Sequence, residues 1–213
     1  MLLDLEKPSD VSECQSCQID EGRFRCLTCS GDQMFCHSCV VKAHQFLPFQ
    51  KVQEWIGKCF QDKSLEELGF IWHMGHGGQP CPFSDDPQTW EDMPLDTEAG
   101  FRPTETINGQ AIPTTLTIIH STGVFVHNVV WCGCPGTKHQ QHVQLLKAGL
   151  LPASTTRPRT AFTFEVLDHF LIDALECKTS ASSFFEKIRR MTNNSFPDTV
   201  PVRSYKYSCQ HLN

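Results

Sequence analysis

The chain changes character at about residue 110. Beyond it, apolar positions recur in folding patterns broken by turn signals. Leu116–His120 and Val124–Trp131 are rich in β-branched and apolar residues, and Ser121-Thr122-Gly123 separates them. This predicts a β-hairpin with Gly123 supplying the turn conformation. His139–Ala148 places apolar residues at helical spacing and ends at Gly149, a good C-cap, before Leu150-Leu151-Pro152 breaks the pattern. Thr163 is placed to cap a second helix with Phe164, Leu167, Leu171, Ala174 and Leu175 on one face. Ser182 or Ser183 is placed to cap a third, with Phe184, Phe185, Ile188 and Met191 inward and an end at Asn193-Asn194.

The first half reads differently. Residues 1–12 look like a tail, and residues 13–50 are dense in Cys and His with little core-forming periodicity, so metal must replace a core there. Residues 51–83 read as a connector carrying a Gly-His-Gly turn. Residues 84–109 are acidic, Pro-containing and aperiodic, and read as a long loop. The expected fold class is α+β: a small zinc-stabilised cross-brace module followed by a domain of a β-hairpin or sheet plus helices, over residues 110–213. No apolar run approaches the roughly 20 residues of a membrane span. MLLDLEKPSD lacks the basic start of a secretory signal, so neither a membrane nor a secreted context is expected.

Without such a signal, the closely spaced cysteines favour metal-held thiolates over disulfides. Twelve cysteines are present, and six fall in three CxxC pairs. The spacing is Cys14-x2-Cys17-x8-Cys26-x2-Cys29-x6-Cys36-x2-Cys39-x4-His44. A CxxC turn sets two thiolates on one tetrahedral ion, and four ligands close a structural site. Seven ligands in this order fit an interleaved module. Cys14, Cys17, Cys36 and Cys39 share one ion, and Cys26, Cys29 and His44 hold another. The module resembles a B-box-type zinc finger, which implies a further histidine shortly after His44. Gln50 stands at that place. Either His37 substitutes, or water does, or the second site is weak; His37, between two ligands, reads as a surface residue.

A second cluster is spread through the chain. Cys132-Gly133-Cys134 follows the predicted hairpin, with Gly133 expected to let the backbone turn. His73, His76 and Cys81 offer two further ligands. A site of His76, Cys81, Cys132 and Cys134 would staple the acidic loop to the sheet; the alternative is ordinary buried cysteines and a turn histidine. Cys59, Cys177 and Cys209 have no spaced partners and read as structural thiols. Two to three zinc ions per chain are expected.

Several stretches line up together: CHSCVVKAHQFLPFQKVQEWIGKCFQDKSLEELGF, MGHGGQPCP, VVWCGC, QLLKAGLLPASTTRPRTAFTFEVLDHF and SSFFEKIRRMTNN. They resemble, over about residues 14–207, the CxC2-like cysteine cluster found in front of fungal KDZ (Kyakuja–Dileera–Zisupton) transposases. The resemblance implies a zinc-binding accessory region acting with transposase subunits, a nuclear location, and an RNase H-like catalytic domain beyond YKYSCQHLN. On that expectation the chain is a stand-alone or truncated copy.

The residues carry no enzyme signature. GxSxG, HExxH and P-loop patterns are absent, as is the HxE…PCxxC pattern of zinc deaminases. No small-molecule substrate is indicated, and independent catalysis is not expected. Two binding roles stay open. Residues 1–109 hold 8 Lys/Arg against 18 Asp/Glu, and residues 110–213 hold 10 against 6. DNA contact would therefore use the second half, through Arg157, Arg159, Lys187, Arg189, Arg190, Arg203 and Lys206, and would be weak and non-specific. Thiolate-bound zinc adds negative charge and favours a protein partner for the first half. A zinc-dependent protein–protein module unrelated to transposition is the alternative reading.

Overall fold

A computed structural model of the chain describes residues 13–31, 33–83, 106–107, 110–111, 113–137 and 140–200. The protein is α+β and divides into two compact units, Met1–Phe70 and Ile71–Asn213. The expected tail, most of the acidic loop, Arg203, Lys206 and Cys209 lie outside the described residues. Among those described, no helix is long and apolar enough to cross a membrane.

Among the described residues, the first unit is a small antiparallel sheet with one short helix. Strands β1 (Phe24–Cys26), β2 (Met34–Phe35), β3 (Val52–Trp55) and β4 (Phe60–Lys63) run in the order β2-β1-β3-β4. Helix α1 (His37–Ala43) follows β2 directly. Residues 51–63, read from sequence as connector, are therefore two strands of this sheet. Their pattern hid them: VQEW and FQDK bury only Val52 outright, and the pair closes as a hairpin around Gly57, at φ 88°. Phe24, Met34, Phe35, Val40 and Val52 are buried, with Leu65, Leu68 and Phe70 after β4.

The second unit is built on a five-stranded mixed sheet. Its strands are β5 (Ile71–His73), β8 (Thr114–His120), β9 (Gly123–Val130), β10 (Leu150–Pro152) and β11 (Thr160–Thr163), in the order β10-β11-β8-β9-β5. β8 and β9 form the expected hairpin, with His120 opposite Gly123 across a two-residue turn. β5 and β11 flank it in parallel. A two-stranded pair, β6 (Thr106–Ile107) and β7 (Gln110–Ala111), precedes it. β6 thus falls inside the stretch read as a loop.

The described residues of this unit add three α-helices: α2 (Gln141–Lys147), α3 (Phe164–Glu176) and α4 (Ala181–Thr192). α2 ends as its sequence requires, with Gly149 left-handed at φ 78° just beyond Ala148. The Thr163 hydroxyl accepts from Val166 N–H at 3.2 Å and starts α3. α4 is capped by Ser180, whose hydroxyl accepts from Ser183 N–H at 3.1 Å, rather than by Ser182 or Ser183. Phe184, Phe185 and Ile188 of α4 pack with Val166, Ile119, Val124 and Val200 into one core. The hairpin turn is locked to α4: Val124 N–H donates to Thr192 Oγ1 at 2.7 Å. A Cβ on Gly123, at φ 151°, would stand 3.0 Å from that oxygen.

The inward face of α3 differs from the one the sequence suggested. Val166 is buried and Leu167 and Phe170 pack against the core, while Phe164, Leu171, Ile172 and Leu175 are exposed. α3 is apolar on more than one face, and spacing alone does not choose between them.

Candidate metal centres

The first group assembles around the start of α1. Cys14-Gln15-Ser16-Cys17 forms a tight turn: Gln18, left-handed at φ 57°, donates its N–H to Cys14 O at 2.8 Å. Cys36 is the N-cap residue of α1, and Cys39 lies within its first turn. The Sγ atoms of Cys14, Cys17, Cys36 and Cys39 all lie within 4.8 Å of one another, with Cys17 and Cys36 3.8 Å apart. Cys14 and Cys36 are buried.

The second group uses the far end of the same helix. Cys26 ends β1, Cys29 lies in the loop after it, and His44 is the C-cap residue of α1. Their ligand atoms also gather within 4.8 Å. The His44 ring is buried, and its Nδ1–H donates to Val40 O at 2.7 Å. That fixes the tautomer and leaves the Nε2 lone pair facing Cys29 Sγ at 3.4 Å. Because α1 serves both groups, the ligand sets interleave. His37 is exposed and belongs to neither.

The third group lies in the second unit and joins residues 51 to 58 positions apart. Cys81 Sγ is 3.8 Å from both Cys132 Sγ and Cys134 Sγ. His76 Nε2 is 3.3 Å from each of those two sulfurs. A run of left-handed residues aims this histidine: Gly75, His76, Gly77 and Gly78 have φ of 81°, 46°, 61° and 85°. Glycine favours that conformation, and three glycines around the left-handed His76 let it reach the thiols. Gly133 is not among the positive-φ glycines; the backbone freedom is used at 75–78 instead. His73, on β5, lies outside the group.

Gln144 of α2 was not singled out by the sequence and shapes this group. Its buried amide accepts from Cys132 N–H at 2.9 Å and donates to Cys132 O at 3.1 Å and to Thr137 O at 2.9 Å. One side chain thus clamps both backbone groups of a candidate ligand residue.

The donor sets fit a tetrahedral, thiophilic ion. Around zinc with Zn–S bonds of about 2.3 Å, sulfur atoms stand about 3.8 Å apart, and sulfur and nitrogen slightly closer. The measured 3.8 Å sulfur pairs and 3.3–3.4 Å sulfur–nitrogen pairs have those edges. A disulfide would bring the sulfurs to about 2.05 Å, and the described cysteines are free thiols.

The thiols are electrostatically uneven in each group. Burial pushes Cys14 up, but the Cys17, Cys36 and Ser16 backbone groups outweigh it and draw the thiol down to about 6. Burial likewise opposes, without preventing, the fall of Cys132 to about 6 under the Thr137 hydroxyl and Cys134. Cys26 falls to about 7 against burial, through the hydroxyl and backbone of Thr28. Their neighbours move oppositely. Cys134 rises to about 12 by burial and by Cys132 and Cys81, and Cys29 rises to about 11 by burial and by Cys26. At Cys39 the Ser16 hydroxyl lowers the thiol, but Cys36 and burial carry it to about 11. Like charges crowd each group, and a bound cation relieves that crowding.

The candidate nucleic-acid residues differ in exposure and in partners. Arg157, Arg159 and Arg190 are exposed. Lys187 pairs with Asp173 at 2.8 Å. The Arg189 side chain is only 14% exposed and is fully engaged: it donates to Pro197 O at 3.0 Å, Glu186 at 2.7 Å and Asp198 at 2.8 Å. Arg189 therefore ties α4 to the 3-10 turn at Pro197–Thr199 and does not offer its charge to solvent. Helical spacing put Arg189 on the outward side of α4 and gave no sign that Glu186, Asp198 and the Pro197 carbonyl would enclose it.

Residues 91–196 match the family described as CxC2-like cysteine cluster associated with KDZ transposases. The match includes Cys132, Cys134 and Gln144 but begins after His76 and Cys81, and the first unit lies outside it. The B-box likeness of that unit therefore rests on its own spacing. No curated protein and no solved structure matches the chain.

Proposed function

Because this chain carries a CxC2-like cysteine cluster of the family associated with KDZ transposases, we propose that it is a zinc-binding, non-catalytic accessory region of such a transposase, acting in the nucleus to assemble transposase subunits. The observation that carries the zinc reading is the sulfur–sulfur spacing of 3.8 Å in two separate groups, the edge of a zinc–thiolate tetrahedron. Cys14, Cys17, Cys36 and Cys39 hold one ion, Cys26, Cys29 and His44 a second, and His76, Cys81, Cys132 and Cys134 a third. When bound, the metal supplies cross-links that stand in for core; it supplies no reaction.

Assembly is favoured over DNA contact by charge. A four-thiolate zinc site adds about two negative charges and a three-thiolate site about one, on a chain already at −6. The pairing of Lys187 and Arg189 removes two of the cations that DNA would need.

The test combines metal analysis with association. Protein purified without chelator should hold three zinc ions. It should co-purify with a KDZ-type transposase catalytic region and lose that partner on chelation. Fewer than one zinc per chain with oxidised cysteines would overturn the metal reading. Association untouched by chelation would overturn the assembly role.

A further inference from the structure

Among the described His, Cys, Asp and Glu residues, the second group supplies three ligand atoms, whereas a structural zinc site closes with four. We infer that the side-chain carbonyl oxygen of Gln50 is the fourth ligand, joining Cys26, Cys29 and His44 in a site of near-zero net charge. The inference rests on the metal reading above and names what completes one of its sites.

Main-chain pairing delivers Gln50 to the group. β3 lies against β1 with Val52 opposite Cys26, and Leu27 N–H donates to Lys51 O at 2.9 Å. Gln50 is the next residue back along the chain, beside the Cys26–Cys29 turn. On the other side, Leu47 N–H donates to His44 O at 3.0 Å, so the segment leaves the ligand histidine and returns past the ligand cysteine. The outcome is Gln50 Oε1 at 3.8 Å from Cys26 Sγ. Around zinc, a sulfur–oxygen edge is about 3.6 Å. Thr28 Oγ1 is nearer, at 3.3 Å from the same sulfur. It is two residues along the turn, however, and its hydroxyl is a donor suited to a thiolate, whereas the Gln50 carbonyl has only lone pairs to offer. His37, the other nitrogen considered for this place, is exposed and outside the group.

A neutral amide oxygen is a weaker partner for zinc than thiolate or imidazole. The second ion should therefore be the most labile of the three, and Gln50 should set its release. The experiment follows zinc transfer from the full chain to a chromogenic chelator. Cys26→Ser identifies the phase that belongs to this site by removing it. Gln50→Ala should speed that phase by at least about tenfold, the scale on which even outer-sphere partners act, and leave the other phases unchanged. Gln50→His should slow it, an outcome that misfolding does not produce. Gln50→Glu, which keeps an oxygen in place, should restore slow release. If Gln50→Ala and Gln50→His both leave the phase unchanged, another ligand completes the site and this inference falls while the metal reading stands. If no phase responds to Cys26→Ser, no ion is held there and both fall.

Discussion

Gln144 is a residue whose role cannot be seen from its neighbours in sequence. It lies twelve positions from Cys132, and only the docking of α2 brings its amide onto that residue's N–H and C=O. Gln144→Leu keeps the volume and removes the clamp, leaving two buried backbone groups of a ligand residue unsatisfied. Zinc affinity at the third group should fall about 10- to 100-fold, the range for losing a group that holds a metal ligand in place, and competition titration of the full chain measures it. Gly75 is legible by contrast. The Gly-His-Gly-Gly string announces a backbone that glycine favours, and a Cβ at Gly75 would sit 3.4 Å from Cys132 Cβ. The cysteines were legible for a related reason, since a CxxC turn is local. Which distant pairs would meet is a property of the strands between them. A part-buried polar cluster at the hairpin turn supplies a pH test. His120 is held below its ordinary value by burial, partly offset by Glu165 at 3.3 Å. Glu165 is held low by the Ser121 hydroxyl and then by His120. Both groups bind protons more readily when unfolded. Their share of stability is therefore present above the unfolded values and lost as pH falls, from about 6.5 for the histidine and about 4.3 for the carboxylate. At saturating zinc, His120→Gln should flatten the decline of the melting midpoint between about pH 7.5 and 5.5. An unchanged slope would show that this histidine is not the group responsible.

At the scale of elements, caps and core faces decide stability. Thr163 is a buried N-cap, and Thr163→Ala should cost about 1 kcal/mol in the second unit. Ile188, 1% exposed in the core below α4, should cost about 2–5 kcal/mol on truncation to Ala. The orientation of α3 makes the opposite prediction. Leu171 and Leu175 are 56% and 60% exposed, so Leu171→Gln and Leu175→Gln should shift stability by no more than about 0.5 kcal/mol. Chemical denaturation of each variant distinguishes this from the sequence-based orientation, in which the same changes would open the core. The contrast shows where pattern reading stops. The hairpin, α2 and α4 each have one apolar face, and their existence and approximate bounds were legible. α3 has an apolar arc broader than the strip it buries, with Ile172 outside it, so its inward face depends on where β8, β9 and α4 stand. β3 and β4 were missed for the converse reason: strands with few fully buried side chains have little alternation to read.

For the whole molecule, the open question of DNA contact turns on how many cations are free. The second half has an excess of basic residues by count, 10 against 6, and the α4 residues among them face away from the core, as helical spacing required. Two of these have partners: Lys187 lies on Asp173, and Arg189 is held by Glu186, Asp198 and the Pro197 carbonyl. A side chain clasped in this way must give up its partners before it can reach a phosphate, and surface pairs of this kind are common without any function. Arg157, Arg159 and Arg190 are exposed on the surface. A few exposed cations position a protein on phosphates without reading bases. Binding should therefore be no tighter than on the order of 10⁻⁴ to 10⁻⁶ M, alike on all sequences, and should weaken steeply with salt. The arginines separate two effects. Arg190→Ala should lessen what DNA binding there is and leave the melting midpoint in place. Arg189→Ala should lower the midpoint, because it frees the turn at Pro197–Thr199 from α4, and should change DNA binding no more than Arg190→Ala does. Titration of labelled duplexes at several salt concentrations, with thermal melts of the same variants, measures both. Tight binding to one sequence, or a loss on Arg189→Ala with no change in melting, would mean that this arginine leaves its carboxylates for DNA and that the assembly reading is incomplete.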